Sequence, residues 1–113
     1  MRFMSDKDRG NFMAILDSIE KISEYVEGIN CGEDLYSKPM VFDAVLMNFI
    51  NIGEMALRIS DETKDKNSGI PWKDIVGLRN IVAHDYLGID AEEIWQIIED
   101  DLRPLSQKIN EML

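Results

Sequence analysis

The only histidine in this chain, His84, lies in the run Leu78-Arg79-Asn80-Ile81-Val82-Ala83-His84-Asp85-Tyr86, which gathers a guanidinium, an amide, an imidazole, a carboxylate and a phenol within eight residues. An imidazole titrates near neutral pH and suits proton transfer, while a guanidinium fork matches the paired oxygens of a phosphate or carboxylate. From residue types alone two readings stand side by side. In one, the cluster does chemistry. In the other, Arg79 pairs with Glu54, His84 donates to the last carbonyls of a helix, and Tyr86 packs with its hydroxyl in water.

Other candidates are weaker. The run Glu99-Asp100-Asp101 resembles a hard-cation site only superficially and reads as a solvated helix face. Cys31 and the lone His84 make neither a zinc set nor a nucleophile pair, so no metal and no cofactor is expected. Met40, Met47 and Met55 read as core or interface filler.

The cluster has to be positioned by helices. Phe12, Ile15, Ile19, Ile22, Val26 and Ile29 recur at steps of three and four, which predicts a first helix from about Asp6 to Gly28. Ser5 caps it, with Asp8 where a carboxylate can reach back, and Gly28, Asn30 and Gly32 supply stop signals. A second helix is expected from near Ser37 or Lys38 to about Ser60, with Pro39 in its first turn. Its stripe is Phe42, Val45, Phe49, Ile52, Ala56 and Ile59, and a second set, Val41, Leu46, Ile50 and Met55, predicts packing on two sides. Glu54 falls in this apolar setting and needs a donor.

Residues 61–69 are polar and end in glycine, reading as a surface connection with room for a helical turn. Ile70-Pro71-Trp72 opens a third helix, with Pro71 at its first position and Trp72 as anchor; it stops near residues 84–87. The fourth begins with Asp90 as cap, Glu93 three residues on, and Ile89 against Ile94. It buries Trp95, Ile98, Leu102, Leu105, Ile109 and Met112, and Pro104 must kink it or remove a hydrogen bond. The expected fold is all-α, one domain over residues 1–113, a bundle of four to five helices.

Composition bounds what such a bundle does. With 113 residues, 45% hydrophobic and 30% charged, the chain supports one core. Its most apolar stretch, residues 40–52, is interrupted by Asp43, Asn48 and Asn51, so no membrane span is expected. The first residues run at once into charge and there is one cysteine, both arguing for a cytoplasmic protein. A formal charge of −10 sits awkwardly with nucleic acid as a partner, since phosphates are drawn by local positive potential. It implies a small basic focus on an acidic body, or a cationic partner.

Arg79-Asn80-x-x-x-His84-x-Tyr86 resembles the R-x4-H-x-Y signature of HepT-like toxins in the HEPN superfamily. The resemblance extends to Ile52-Gly53-Glu54, Ile70-Pro71-Trp72, Gly88-Ile89-Asp90, Trp95 and Asp101-Leu102-Arg103-Pro104, nearly the whole chain. It implies a HEPN-like bundle and a metal-independent endoribonuclease. On this chain, the resemblance makes Arg79 and His84 the catalytic pair, the first binding the scissile phosphate and the second moving protons. Asn80 would orient His84 or hydrogen-bond the RNA, Asp85 would help set the tautomer of His84, Glu54 would support Arg79, and Tyr86 matches the tyrosine to which a minimal, MntA-like nucleotidyltransferase antitoxin attaches AMP. An anionic adenylate beside Arg79 would compete with RNA phosphate.

Geometry adds a constraint. At roughly 100° per residue, Arg79 and His84 point about 140° apart on a continuous helix, so one phosphate meets both only if the helix ends or bends at His84, or if a second chain contributes. A two-fold dimer supplies that chain and a second histidine, and HEPN proteins resemble this arrangement. The rival expectation is a non-catalytic helical module that binds nucleotide or RNA, or docks the transferase.

Overall fold

The computed structural model describes residues 4–85 and 88–113, with the side chain of Asp85 outside that description. The described residues form α1 (Asp6–Tyr25), α2 (Gly32–Tyr36), α3 (Pro39–Arg58), α4 (Asp61–Lys66), α5 (Trp72–Asp85), α6 (Ala91–Ile97) and α7 (Arg103–Met112), with no strands among them. A π-helical turn, Ile98–Leu102, joins α6 to α7. The all-α bundle therefore has four long members, α1, α3, α5 and the α6–α7 rod, braced by the short α2 and α4.

The helix starts follow local chemistry. Ser5 Oγ accepts from the N–H of Asp8 at 3.1 Å, Pro39 occupies the first turn of α3, and Asp90 Oδ1 accepts from the N–H of Glu92 at 2.9 Å. Two expected details differ. Among the described residues Glu93 makes no return bond to complete a capping box, and Asp8 makes none back to Ser5. Asp8 is buried and turns to α4, accepting from the N–H of Ser60 at 3.0 Å, Ser60 Oγ at 2.6 Å and Thr63 Oγ1 at 2.6 Å. Ser60 Oγ in turn accepts from the N–H of Thr63 at 3.3 Å. A carboxylate of α1 thus fixes the cap of a helix 52 residues further on.

α1 ends at Tyr25, short of the expected Gly28, and Gly28 makes the turn at φ 86°. α2 was not expected, because five residues are too few to show a hydrophobic period. Cys31 Sγ caps it, accepting from the N–H of Asp34 at 3.4 Å. α4 is more than the single turn foreseen in residues 61–69, and Pro71 falls just ahead of α5 rather than inside it. Trp72 anchors α5 as expected. Its ring lies 5.9 Å from that of Phe12, and its Nε1–H donates to the carbonyl of Asn67 at 3.1 Å.

α3 is the central element, packed on one side by α1 and on the other by α5. Val45, Leu46, Phe49, Ile52 and Ala56 are buried along it. By length and composition α3 would also pass as a membrane-crossing helix despite Asp43, Asn48 and Asn51, but its inner residues belong to the core of this bundle. The approach of α5 is close at one place. A Cβ on Gly53 would stand 2.7 Å from Arg79 Cβ and 2.9 Å from the Arg79 backbone nitrogen, so only glycine fits there.

Pro104 acts as the sequence requires. It has no N–H for the carbonyl four residues back, and its ring would strike that carbonyl. The chain widens into the π turn just before it, and Leu105 and Ile109 remain buried beyond.

Two outcomes are expected. Burial pushes the Asp8 carboxyl up, but hydrogen bonds from Ser60 and Thr63, aided by the charge of Lys7, outweigh it and hold the group below its ordinary 3.8. Because the folded value is depressed, the unfolded chain takes up the proton first; the stabilisation is full above the ordinary value and is lost as pH falls through the folded one. Urea unfolding across pH should show wild type losing stability below pH 4 (about the ordinary value), and Asp8→Asn weaker at pH 7 by about 1–3 kcal/mol with a flatter acid limb. Gly53→Ala should lower stability by about 1–3 kcal/mol in the same assay, since the added methyl meets backbone rather than a flexible side-chain end.

Candidate active site

The contact between Gly53 and Arg79 places the next residue, Glu54, beside the guanidinium. Glu54 Oε1 and Arg79 Nε lie 3.0 Å apart, with the two side chains 35% and 39% exposed. At that exposure the pair adds no more than about 1 kcal/mol to stability, so its main effect is to orient the guanidinium. The donor that the sequence required for Glu54 is therefore Arg79. Only Nε is engaged. The terminal nitrogens of the guanidinium, which carry the rest of its five N–H donors, have no partner among the described residues.

His84 is exposed in the last turn of α5, which runs on through Asp85. Among the described residues it has no hydrogen-bond or ion-pair partner. The quieter reading of the motif is thus met at Arg79, which pairs with Glu54, and not at His84, which makes no bond to a described helix carbonyl. Because α5 is unbroken from Arg79 to His84, the two side chains leave the helix about 140° apart, as its pitch requires. Asn80 is exposed one turn before His84, with no described bond joining them. The side chain of Asp85 and all of Tyr86 lie outside the described residues, so their expected roles have no geometry here.

The flank of α5 between these groups is built of small side chains. Gly77 has open space where a Cβ would stand, and Asn80 and Ala83 are exposed. This face is not legible in the sequence, because a stripe of small residues carries no apolar period.

One further polar grouping was only partly foreseen. Asp100 and Asp101 meet Asp74 of α5 around a cleft of about 180 Å³ floored by Ile75, Leu78 and Leu102. Partial burial first, then the charges of Asp100 and Asp74, raises the carboxyl of Asp101 above its ordinary value, while Glu99, Asp100 and Asp101 are all exposed, as a solvated helix face requires. Among the described residues no three His, Cys, Asp or Glu side chains converge to hold a metal ion.

A family model described as ribonuclease HepT-like matches residues 15–112. Among curated proteins, the chain is 34% identical to "Putative RNase MJ1380" of Methanocaldococcus jannaschii, over 94% of this chain and 97% of that one. It is 32% identical to "Putative RNase TTE0752" of Caldanaerobacter subterraneus subsp. tengcongensis over 88% of each, and 29% identical to "Probable ribonuclease HepT" of Thermococcus cleftensis over 87% and 88%. No solved structure matches the chain at a significant level. With the model spanning nearly all of its helices and the relatives aligned almost end to end, the chain belongs to the HepT-like ribonuclease family.

Proposed function

We propose that this chain, acting in the cytoplasm as one domain over residues 1–113, is a metal-independent endoribonuclease and the toxin of a type VII-like toxin–antitoxin pair. The observation that carries the reading is the state of the two expected catalytic side chains. Arg79 is oriented through Nε by Glu54 with its terminal donors free, and His84 is exposed and unengaged among the described residues, both on the one helix.

The chemistry is transesterification. The ribose 2′-oxygen attacks the adjacent phosphorus as an imidazole removes its proton, and the 5′-oxygen leaves as an imidazolium returns one. The products are a 2′,3′-cyclic phosphate and a 5′-hydroxyl, with protons in balance. The terminal N–H groups of Arg79 lie against the phosphate oxygens where charge grows.

A single chain offers one imidazole, directed well away from its own guanidinium. A homodimer meeting along the outer flank of α5 supplies the second. Gly77, Asn80 and Ala83 leave room there for close approach, and a single cleft on the two-fold axis then holds Arg79 and His84 of both chains. Tyr86, two residues past His84, is the proposed site of AMP attachment by a minimal nucleotidyltransferase antitoxin, placing an anion where RNA phosphate would otherwise bind. The formal charge of −10 supports a second reading, a non-catalytic module that binds nucleotide or RNA or docks the transferase.

Expected outcomes separate the two. Unmodified protein should cleave single-stranded RNA in EDTA, leaving cyclic phosphate ends, and Arg79→Ala and His84→Ala should each slow cleavage by at least about 100-fold, the scale of a lost acid–base or charge-stabilising group. Wild type that stays dimeric yet cuts no RNA, and that binds RNA through Arg79 irrespective of His84, would establish the binding module instead. Intact mass after coexpression with the transferase should show added adenylate on wild type and none on Tyr86→Phe. An unmodified wild type would remove the antitoxin from the proposal.

A further inference from the structure

Tyr36 closes α2 at 66% exposure and is the most open aromatic ring among the described residues, with Tyr25 at 39%. One edge is held. Its ring centroid lies 6.0 Å from that of Phe42, the planes at 68°, which fixes the phenol while leaving most of it open. Beside it is a concavity of about 540 Å³, walled by Gly32, Glu33 and Tyr36 of α2 on one side and by residues 88–92 on the other. Its back is rigid. The N–H of Gly32 donates to Glu92 Oε2 at 3.0 Å, and a Cβ on Gly32 would collide with the Glu92 backbone. The second wall begins at Gly88, four residues after His84 in the chain, and runs into the first turn of α6.

The chemistry of this concavity is acceptor-rich. Glu92 is already occupied, by Gly32 and by Gln96 Nε2 at 3.1 Å, and Asp90 Oδ1 by the N–H of Glu92. Asp90 Oδ2 and the carboxylate of Glu33 have no partner among the described residues. Such a rim repels phosphate and accepts N–H donors, while an exposed phenol offers a face on which a flat ring can stack.

We propose that the concavity between Tyr36 and the start of α6 is a nucleobase subsite for single-stranded RNA, in which the base stacks on Tyr36 and its Watson–Crick edge donates to Glu33 and Asp90. Guanine fits best, because N1–H and N2–H₂ present two adjacent donors that match the two oxygens of one carboxylate, where uracil presents one. The subsite rests on the ribonuclease reading of the same chain and deepens it. In that reading Arg79 meets a phosphate, and a base of the same strand is read where the surface is acidic.

The test uses the full chain carrying His84→Ala, which leaves RNA intact, and fluorescence anisotropy with fluorescein-labelled 5′-UUGUU-3′ and 5′-UUUUU-3′. The guanine-containing strand should bind more tightly. Adding Tyr36→Ala should weaken it at least about fivefold, the low end for loss of one base–aromatic stack, and bring the two strands together. Tyr36→Trp should keep the preference, and Glu33→Gln should reduce it without abolishing binding. Tyr36 is exposed, so thermal unfolding of Tyr36→Ala should match the parent, and a large drop in its midpoint would itself overturn the assignment by showing Tyr36 to be a packing residue. Equal binding of the two strands, binding indifferent to Tyr36, or no binding of either also overturns the subsite. So does a Tyr36→Ala protein that sediments as one chain where the parent sediments as two, which would make the patch a chain-to-chain contact. Cleavage by wild type separates the two claims: activity with binding indifferent to Tyr36 removes the subsite alone, and Tyr36-dependent binding with no activity removes the nuclease alone.

Discussion

The close contact of α3 and α5 at Gly53 governs what the rest of the molecule can do. A helix interior ordinarily disfavours glycine by about 1 kcal/mol relative to alanine, through lost backbone entropy and exposed peptide. Here the absent side chain lets the backbone of Arg79 come within van der Waals reach, and that approach sets Glu54 against the guanidinium. The ion pair is too exposed to add much stability, but a half-buried carboxylate bound only to Nε fixes the direction of the arginine and leaves its terminal donors uncommitted. A side chain so held is preorganised for an anion without being neutralised by a full bidentate partner.

The surrounding bundle keeps those two helices in register by tying down helix ends rather than by enlarging the core. Asp8 on α1 caps the cap of α4, Trp72 bonds back to Asn67 at the start of α5, and Lys108 of α7 donates to the carbonyl of Gly69 at 2.9 Å. Each of these reaches the segment between α3 and α5. The α6–α7 rod absorbs Pro104 by widening one turn, so its buried stripe stays continuous across a residue that would otherwise break it.

Charge is distributed in a way that eases the conflict between an acidic chain and an RNA substrate. Formal net charge describes the far field, whereas binding of a phosphate depends on the few groups within a Debye length, about 8–10 Å at ordinary salt. On α5 the terminal N–H groups of Arg79, left uncommitted by its pairing with Glu54 through Nε, are donors suited to such a contact. The acidic groups at Glu33 and Asp90 face the proposed base rather than the phosphate, where acceptors serve readout. Strong dependence on salt is then expected only of the part of affinity that the arginine supplies.

Much of this was legible in the residues themselves. The periodicity of Phe12, Ile15, Ile19 and Ile22, the caps at Ser5 and Asp90, the turn at Gly28 and the distortion ahead of Pro104 are local rules, and local rules are written in local sequence. The need of Glu54 for a donor was also legible, because a carboxylate among apolar neighbours seldom goes unpaired. Tertiary structure alone decided that Asp8 would serve α4 instead of its own helix, that Gly53 would be a contact point rather than a weak spot, and that Tyr36 would stand open beside residues 88–92. These depend on which helix lies against which and at what distance. Spacing along one chain carries no record of that, since the partners are 26, 52 or more residues apart and meet only when the core has closed.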